Sequence, residues 1–254
     1  MSKVIGIDVG GTFTDLVYFD EASRTCRVAK VSSTPANQAE GVLTGIVGLG
    51  EALSSVDAIV HGTTVATNAL LERKGARLAL ITTRGFRDVL EMHTRERPFL
   101  YGLKGVYRPL VPRDLRFEVA ERTDASGRVL VELDLKELRE LARRVRATGA
   151  DCVVVSFLHS YANPENERRA RAILEESFAP DALVLSTEVL SEVKEFERTS
   201  TAVINAYVQP LIGRYFNRLQ ERLHPAGYER DVLVVQSNGG LIASGIAARA
   251  AVNT

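Results

Sequence analysis

Two short apolar runs, Val4 to Asp8 and Leu16 to Phe19, are separated by Asp8-Val-Gly-Gly-Thr-Phe-Thr-Asp15, and no other stretch constrains the fold of this chain as tightly. Runs of this length and composition read as strands, which puts the glycines and hydroxyls at a hairpin tip. Gly10 and Gly11 permit backbone conformations closed to other residues and let a phosphate approach the amides, while Thr12 and Thr14 offer side-chain donors. Asp8, at a strand end, suits a metal-bound water or the alignment of a water attacking a terminal phosphate. A plain glycine-rich hairpin capped by Asp8 and Asp15 is the competing reading. Two carboxylates and two hydroxyls around Gly-Gly favour phosphate binding over it.

From this tip the chain continues with a third strand, Arg27 to Ser32. Thr34-Pro35 supplies an N-cap and an N1 proline for a helix over 35–53, whose Ala39, Val42, Leu43, Ile46 and Val47 share a face. Ala58 to Val60 reads as a strand, Thr64 to Arg73 as a helix and Arg77 to Thr82 as another strand. The order βββαβαβ implies a mixed sheet with crossover helices. A looser segment follows, with Pro98, Pro109 and Pro112. Phe117 to Glu121 and Val129 to Leu133 flank Asp124-Ala-Ser-Gly127 as a hairpin, Asp134 caps a helix, and Cys152 to Phe157 is a buried strand. Asn163-Pro164 opens a helix to about Phe178, and Leu183 to Ser186 returns as a strand. Residues 197–223 are helical, with a buried stripe of Ile212, Tyr215, Phe216, Leu219 and Leu223. Pro210 should kink or split that helix. Val232 to Gln236 is a strand, Ser237-Asn-Gly-Gly240 a turn and Ser244 to Ala251 a short helix.

Composition narrows the function classes. Over 254 residues, 45% hydrophobic, the chain can bury a sizeable core, and 32 Lys plus Arg against 32 Asp plus Glu give no global field for nucleic acid or an anionic membrane. Cys26 and Cys152 lie far apart, outside any zinc or disulfide pattern, and are expected as core thiols. No stretch reaches the roughly 20 apolar residues of a membrane span. No secretory leader is visible. A cytoplasmic protein is expected.

The hairpin string resembles the first phosphate loop of the actin, hexokinase and heat-shock chaperone superfamily, whose ribonuclease H-like fold begins in the same strand order. It differs from a Walker A loop, which needs a GK[ST] ending before a helix. Within that superfamily, His61-Gly-Thr-Thr-Val-Ala-Thr-Asn-Ala-Leu-Leu-Glu-Arg73 resembles the signature of the hydantoinase A and 5-oxoprolinase family. Thr83-Arg-Gly-Phe-Arg-Asp88, Arg116 to Arg122, His159-Ser-Tyr-Ala-Asn-Pro164, Glu195 to Thr201, Asn205-Ala-Tyr207 and Gln236-Ser-Asn-Gly-Gly240 are similar to the family's strings in order along the chain.

The resemblance implies an α/β protein with a ribonuclease H-like, actin-like ATPase mixed sheet and an inserted or following second α/β block. Domains are expected at 1–90, 91–190 and 191–254, the last a long helix leading into the start of a second ribonuclease H-like half. It implies ATP and Mg²⁺ as cofactors, a lactam or ketone substrate, and a sister hydantoinase B-type subunit or a homo-oligomer as partner. The activity implied is ATP-dependent cleavage of a cyclic amide through a phosphorylated substrate, with ketone carboxylation as the alternative within the family. A nucleotide-sensing module and a non-catalytic assembly piece are the readings from other classes. Full-length family members run far beyond 254 residues, so a truncated chain, a gene fragment or a split subunit is expected, with ATP bound poorly by one half alone.

Asp8 and His61 are the candidate catalytic residues, with Asp8 also the candidate metal ligand. Gly10, Gly11, Thr12, Thr14 and Asp15 are the cofactor-binding set. Thr63, Thr64 and Asn68, where a strand passes into a helix, suit a substrate oxygen or anion, or equally an N-cap cluster. His93 and Arg95, with Arg97 nearby, suit an anionic substrate or a solvated basic loop. His159, Ser160 and Asn163 fit turn packing and capping better than catalysis, and Glu195 to Thr201 fits first-turn dipole matching. Ser237-Asn-Gly-Gly240 reads as a phosphate or substrate loop or simply as a turn.

Overall fold

The structure is a computed structural model that describes residues 2–33, 38–94 and 108–254. Three antiparallel strands open the chain: β1 (Lys3–Val9), β2 (Phe13–Asp20) and β3 (Thr25–Ser32). Helix α1 (Gln38–Gly48) leads to β4 (Ala58–Thr63), which lies parallel to β1, and then to α2 (Val65–Leu71). The expected N-cap at Thr34-Pro35 lies outside the described residues. Along β1, Ile5, Ile7 and Val9 are buried while Asp8 is exposed, the period-two pattern of a sheet with one face on a core. Leu16 and Tyr18 of β2 and Ile59 of β4 bury on that same face. Helix α1 comes close enough that a Cβ on Gly45 would stand 2.1 Å from the Leu16 Cδ1, so a side chain there would force Leu16 to move.

The chain next builds a separate α/β unit. Its elements are β5 (Leu78–Thr83), α3 (Val89–Met92), β6 (Arg116–Val119), the short pair β7 (Arg122–Thr123) and β8 (Val129–Val131), α4 (Leu135–Ala147), β9 (Cys152–Ser156), α5 (Glu165–Leu174), β10 (Leu183–Leu185) and α6 (Ser186–Val189). Strands β10-β9-β5-β6 form a parallel sheet in that order. Every residue of β5 and β9 is buried, as expected where helices cover both faces of a parallel sheet. Asp134 caps α4 as anticipated, accepting from the Lys136 and Glu137 amides, and Leu138, Leu141 and Val145 pack from it against Ile81, Val153 and Val155.

Helix α7 (Glu195–Leu223) follows, then β11 (Leu233–Val235), β12 (Leu241–Ala243) and α8 (Ser244–Ala247). Strand β11 pairs parallel with β4, Val234 opposite His61, and completes a six-stranded sheet β12-β11-β4-β1-β2-β3. Two compact units result: Met1–Lys74 with Val208–Thr254, and Gly75–Tyr207.

This is the ribonuclease H-like arrangement anticipated, with several corrections of detail. Strand β5 joins the second sheet, so the break falls after Lys74 rather than near residue 90. The second block is an insertion, and β11 finishes the first sheet instead of opening a second half, because its parallel partner β4 has a free edge. Phe117 lies in a parallel strand, and the hairpin around Asp124 pairs Arg122–Thr123 with Val129–Val131. Helix α7 runs through Pro210 without splitting. Cys152 is buried as expected, but Cys26 is exposed, since it sits on the uncovered side of edge strand β3.

Glu167 of α5 is fully buried and accepts from the Phe157 amide, the Ser186 hydroxyl, and the Thr187 amide and hydroxyl. One carboxylate thereby ties the ends of β9 and β10 together. Replacing Glu167 by Ala strands the buried Phe157 amide and Ser186 hydroxyl and removes the partner of half-buried Thr187, and should destabilise the protein by about 3–5 kcal/mol. Gly45→Ala should cost about 1–3 kcal/mol through overpacking against Leu16. Urea unfolding of both variants checks these values.

Candidate functional site

The β1–β2 turn is held by its backbone. The Gly10 amide donates to the Phe13 carbonyl at 3.0 Å, and a Cβ on Gly10 would stand 3.1 Å from that oxygen, so a side chain there would press on the turn. A Cβ on Gly11 would meet nothing within 4 Å, which leaves that residue's backbone open to solvent beside exposed Thr12. The Ser33 amide donates to the Thr12 carbonyl, and the Ser33 hydroxyl donates to the Gly10 carbonyl at 2.7 Å. Thr14 is fully buried, with its hydroxyl 3.1 Å from that of Ser33. Thr14 was expected to donate to a phosphate; it lies on the core face instead, and Thr14 and Ser33 brace the turn from beneath.

Asp8 lies opposite Asp15 on β2 and opposite Gly62 on β4, so these three residues share the outer face of the sheet. Asp15 is ion-paired to Lys30 at 2.9 Å, and the Lys30 ammonium also sits over the Phe13 ring. Asp8 is exposed and has neither a hydrogen bond nor an ion pair among the described residues. A Cβ on Gly62 would stand 3.6 Å from an Asp8 carboxylate oxygen, so the glycine keeps the flank of that carboxylate open. A single free carboxylate beside open glycines matches Mg²⁺, which takes one or two carboxylates and completes its shell with water and phosphate oxygens. No group of three or more His, Cys, Asp or Glu side chains that would form an all-protein cage occurs among the described residues.

The β4–α2 junction is held by local bonds. Thr63 Oγ1 accepts from the Val65 amide, the Thr64 hydroxyl reaches the Val9 carbonyl at 3.5 Å, and Asn68 Nδ2 donates to the Thr64 hydroxyl at 3.2 Å. These side chains stitch the start of α2 to the end of β1 next to Asp8. The cluster thus shares the sheet edge with the hairpin, and its bonds are those of a helix entry.

His61 departs from its expected role. It pairs with Ile7, on the face opposite to Asp8, and is fully buried. Its Nε2 is hydrogen-bonded to the Tyr215 hydroxyl, and its ring packs edge-on against Tyr215 and Phe216 of α7. Burial pushes the imidazole down to about 4 and the Tyr215 phenol up, so both are neutral at physiological pH. His61 therefore anchors β4 to α7 rather than meeting Asp8.

His93 belongs to the other compact unit, at the end of α3, with a left-handed backbone and its ring 4.9 Å from that of Phe196. Arg95 and Arg97 lie outside the described residues. Asn163 donates to the Gly127 carbonyl and accepts from the Glu165 amide, the capping role expected of it. Arg198 is buried and donates to the Phe157 and Glu192 carbonyls, a bracing role that a dipole argument alone missed. Sequence reasoning also missed Glu121, which is buried, receives bonds from Thr83 and Asn166, and is raised by burial. Only its place beside Thr83 and Asn166 in the fold marks it.

An α/β chain whose first sheet has the ribonuclease H-like strand order, with a glycine hairpin and an exposed carboxylate at the carboxyl end of β1, has a fold of the actin-like ATPase type. The chain belongs to the hydantoinase/oxoprolinase family: residues 4–178 match the model of the hydantoinase/oxoprolinase N-terminal region, and residues 198–254 that of hydantoinase/oxoprolinase. It is 33% identical to caprolactamase subunit alpha of Pseudomonas jessenii over 98% of this chain and 37% of that one. To the acetophenone carboxylase gamma subunit of Aromatoleum aromaticum it is 36% identical, over 93% of this chain and 35% of the relative. The solved nucleotide-free structure of acetone carboxylase superposes on 99% of this chain and 38% of its own with a TM-score of 0.86 at 31% identity. The chain thus spans about a third of the length of these relatives. Among the described residues no helix is long and apolar enough to cross a membrane.

The buried imidazole gives a pH signature. Because the folded value, about 4, is below the ordinary 6.5, the unfolded chain binds a proton that the folded chain refuses between those limits. The contribution of His61 is full above about pH 6.5 and declines as pH falls toward 4, by on the order of 3 kcal/mol in all. Urea midpoints measured at pH 7.5 and 4.5 should converge in His61→Phe relative to the wild type. An unchanged difference would show that another group carries the acid sensitivity.

Proposed function

We propose that this chain supplies the phosphate-binding part of an ATP site in an enzyme that activates the carbonyl oxygen of a cyclic amide before cleaving its C–N bond. The observation that carries the reading is Asp8, an exposed carboxylate without a partner among the described residues, set beside open glycines at the end of a central strand. Asp8 would hold Mg²⁺ with the nucleotide's phosphates, and the Gly10–Thr12 backbone would lie along them. An amide is a poor electrophile, and phosphorylating its oxygen supplies the leaving group that hydrolysis lacks. ATP is therefore the reagent that such a reaction needs. Support comes from the similarity to a caprolactamase subunit.

Carboxylation of a ketone is the second reading, favoured by 36% identity to an acetophenone carboxylase subunit and the fold match to acetone carboxylase. Both chemistries begin at a carbonyl oxygen, so the Asp8 site serves either one. Because the two curated relatives are themselves named as subunits, a sister subunit of hydantoinase B type is proposed as the partner.

Isothermal titration of ATP with Mg²⁺ into the full protein that carries this chain, wild type and Asp8→Asn, tests the reading. Asp8→Asn should weaken binding tenfold or more, a loss of at least about 1.4 kcal/mol. Asp15→Asn should have a smaller effect, since Lys30 already neutralises that carboxylate. Equal binding by wild type and Asp8→Asn would sink the proposal and leave the assembly-piece reading in front.

A further inference from the structure

The carboxyl ends of three parallel strands, β1, β4 and β11, lie side by side in one sheet of one compact unit. In open α/β sheets, ligands lie outside the carboxyl ends of the parallel strands. β1 presents Asp8 there, β4 presents Thr63 and Thr64, and β11 runs directly into the turn Gln236-Ser-Asn-Gly-Gly240. The sequence left that turn undecided between a ligand loop and a plain connection.

The hydrogen bonds separate what holds this edge together from what is left available on it. Thr14, Ser33, Thr63, Thr64 and Asn68 all carry local structural bonds. In the turn, the backbone is closed by the Gln236 amide donating to the Gly240 carbonyl at 2.8 Å and the Gly239 amide donating to the Gln236 carbonyl at 2.9 Å. The Ser237 amide is fixed by the Asn253 carbonyl, and Asn238 Oδ1 accepts from the Gly240 amide at 2.8 Å. Gly239 has φ +84°, with open space where a side chain would stand. The turn is therefore a rigid device. Yet the Ser237 hydroxyl, the Gln236 carboxamide and the Asn238 Nδ2 have no hydrogen-bond partner among the described residues, and Ser237 and Asn238 are exposed.

These groups are neutral, and between them they offer both donors and acceptors. The turn carries neither a cation nor a carboxylate that could hold one, so nothing in it would neutralise a phosphate as Mg²⁺ at Asp8 would. A carboxamide and a hydroxyl match an amide or carbonyl group, which offers one acceptor and, in a lactam, one donor. Two inter-strand spacings separate β1 from β11, roughly 10 Å. A nucleotide's phosphates at Asp8 and a second, neutral molecule at the turn therefore fit along the same edge without competing for it.

We propose that the Gln236–Gly240 turn is the docking site for the amide- or carbonyl-bearing substrate, with Ser237, Gln236 and Asn238 as its polar contacts. The inference rests on the reading of Asp8 as the phosphate end, and the two can fail separately. The test uses the full protein that carries this chain, with 5-oxoproline, caprolactam, hydantoin and acetone as probes of Mg-ATP hydrolysis stimulated by each. Ser237→Ala and Asn238→Ala should raise the KM for the stimulating probe about tenfold each, the worth of one hydrogen bond, while the Kd for ATP stays within about twofold. Asp8→Asn should show the reverse pattern, weakening ATP. Circular-dichroism melting of each variant guards against simple unfolding, and Ser237→Thr, which keeps the hydroxyl, should retain more of the probe affinity than Ser237→Ala. Well-folded turn variants that leave the KM unchanged, or that shift ATP and probe alike, would overturn the docking role while leaving Asp8 untouched. A wild type that binds ATP but responds to none of the four probes also overturns it. Loss of ATP binding in the wild type itself would instead defeat the reading of Asp8.

Discussion

The parallel ladders that β4 makes with β1 on one side and β11 on the other set up everything else in the first unit. They put Asp8 opposite Gly62 and bring the turn after β11 to the same sheet edge. The partners come from distant parts of the chain: the Ile59 amide donates to the Tyr228 hydroxyl across 169 residues of sequence. Loop-closure entropy grows only slowly with length, so inserting a whole α/β unit between β4 and β11 costs the sheet little. What secures the join is burial. Val234 and Ile59 are fully buried, and the His61–Tyr215 bond ties the middle strand to α7.

The inserted unit solves a comparable problem differently. Its parallel sheet is buried on both faces, so its strand ends must satisfy their polar groups without water. Glu167 does this for β9 and β10, Glu121 is bonded by Thr83 and Asn166, and Arg198 covers the Phe157 carbonyl. Such charges are tolerated in an interior only when their bonding is nearly complete. Glu167, Glu121 and Arg198 thus brace the strand ends of this unit.

The side chains of this sheet edge divide into those whose bonds are used up and those whose bonds are not. Thr14, Thr63 and Thr64, which a motif reading credits with ligand binding, are occupied in holding the turns beside Asp8 and the hairpin backbone, whereas Thr12 is exposed. Under the proposed function such preorganisation would serve phosphoryl transfer, in which most of the catalytic work is orientation and electrostatics.

The sequence by itself determined most of the strands and helices, the glycine hairpin with Asp8 at its base, the Asp134 cap and the buried stripe of α7, because each depends on residues a few positions apart. The alternation of any strand puts Asp8 and Ile7 on opposite sides. It did not show that His61 shares a side with Ile7, since the relative register of two strands 50 residues apart is fixed only when they pair. The same limit hid the partners of Glu121 and Glu167, the exposure of Cys26 on an edge strand, and the return of β11 to the first sheet. Those were decided by tertiary structure alone, because strand order and face are set by which apolar surfaces bury together, a choice made between segments that have no local influence on one another.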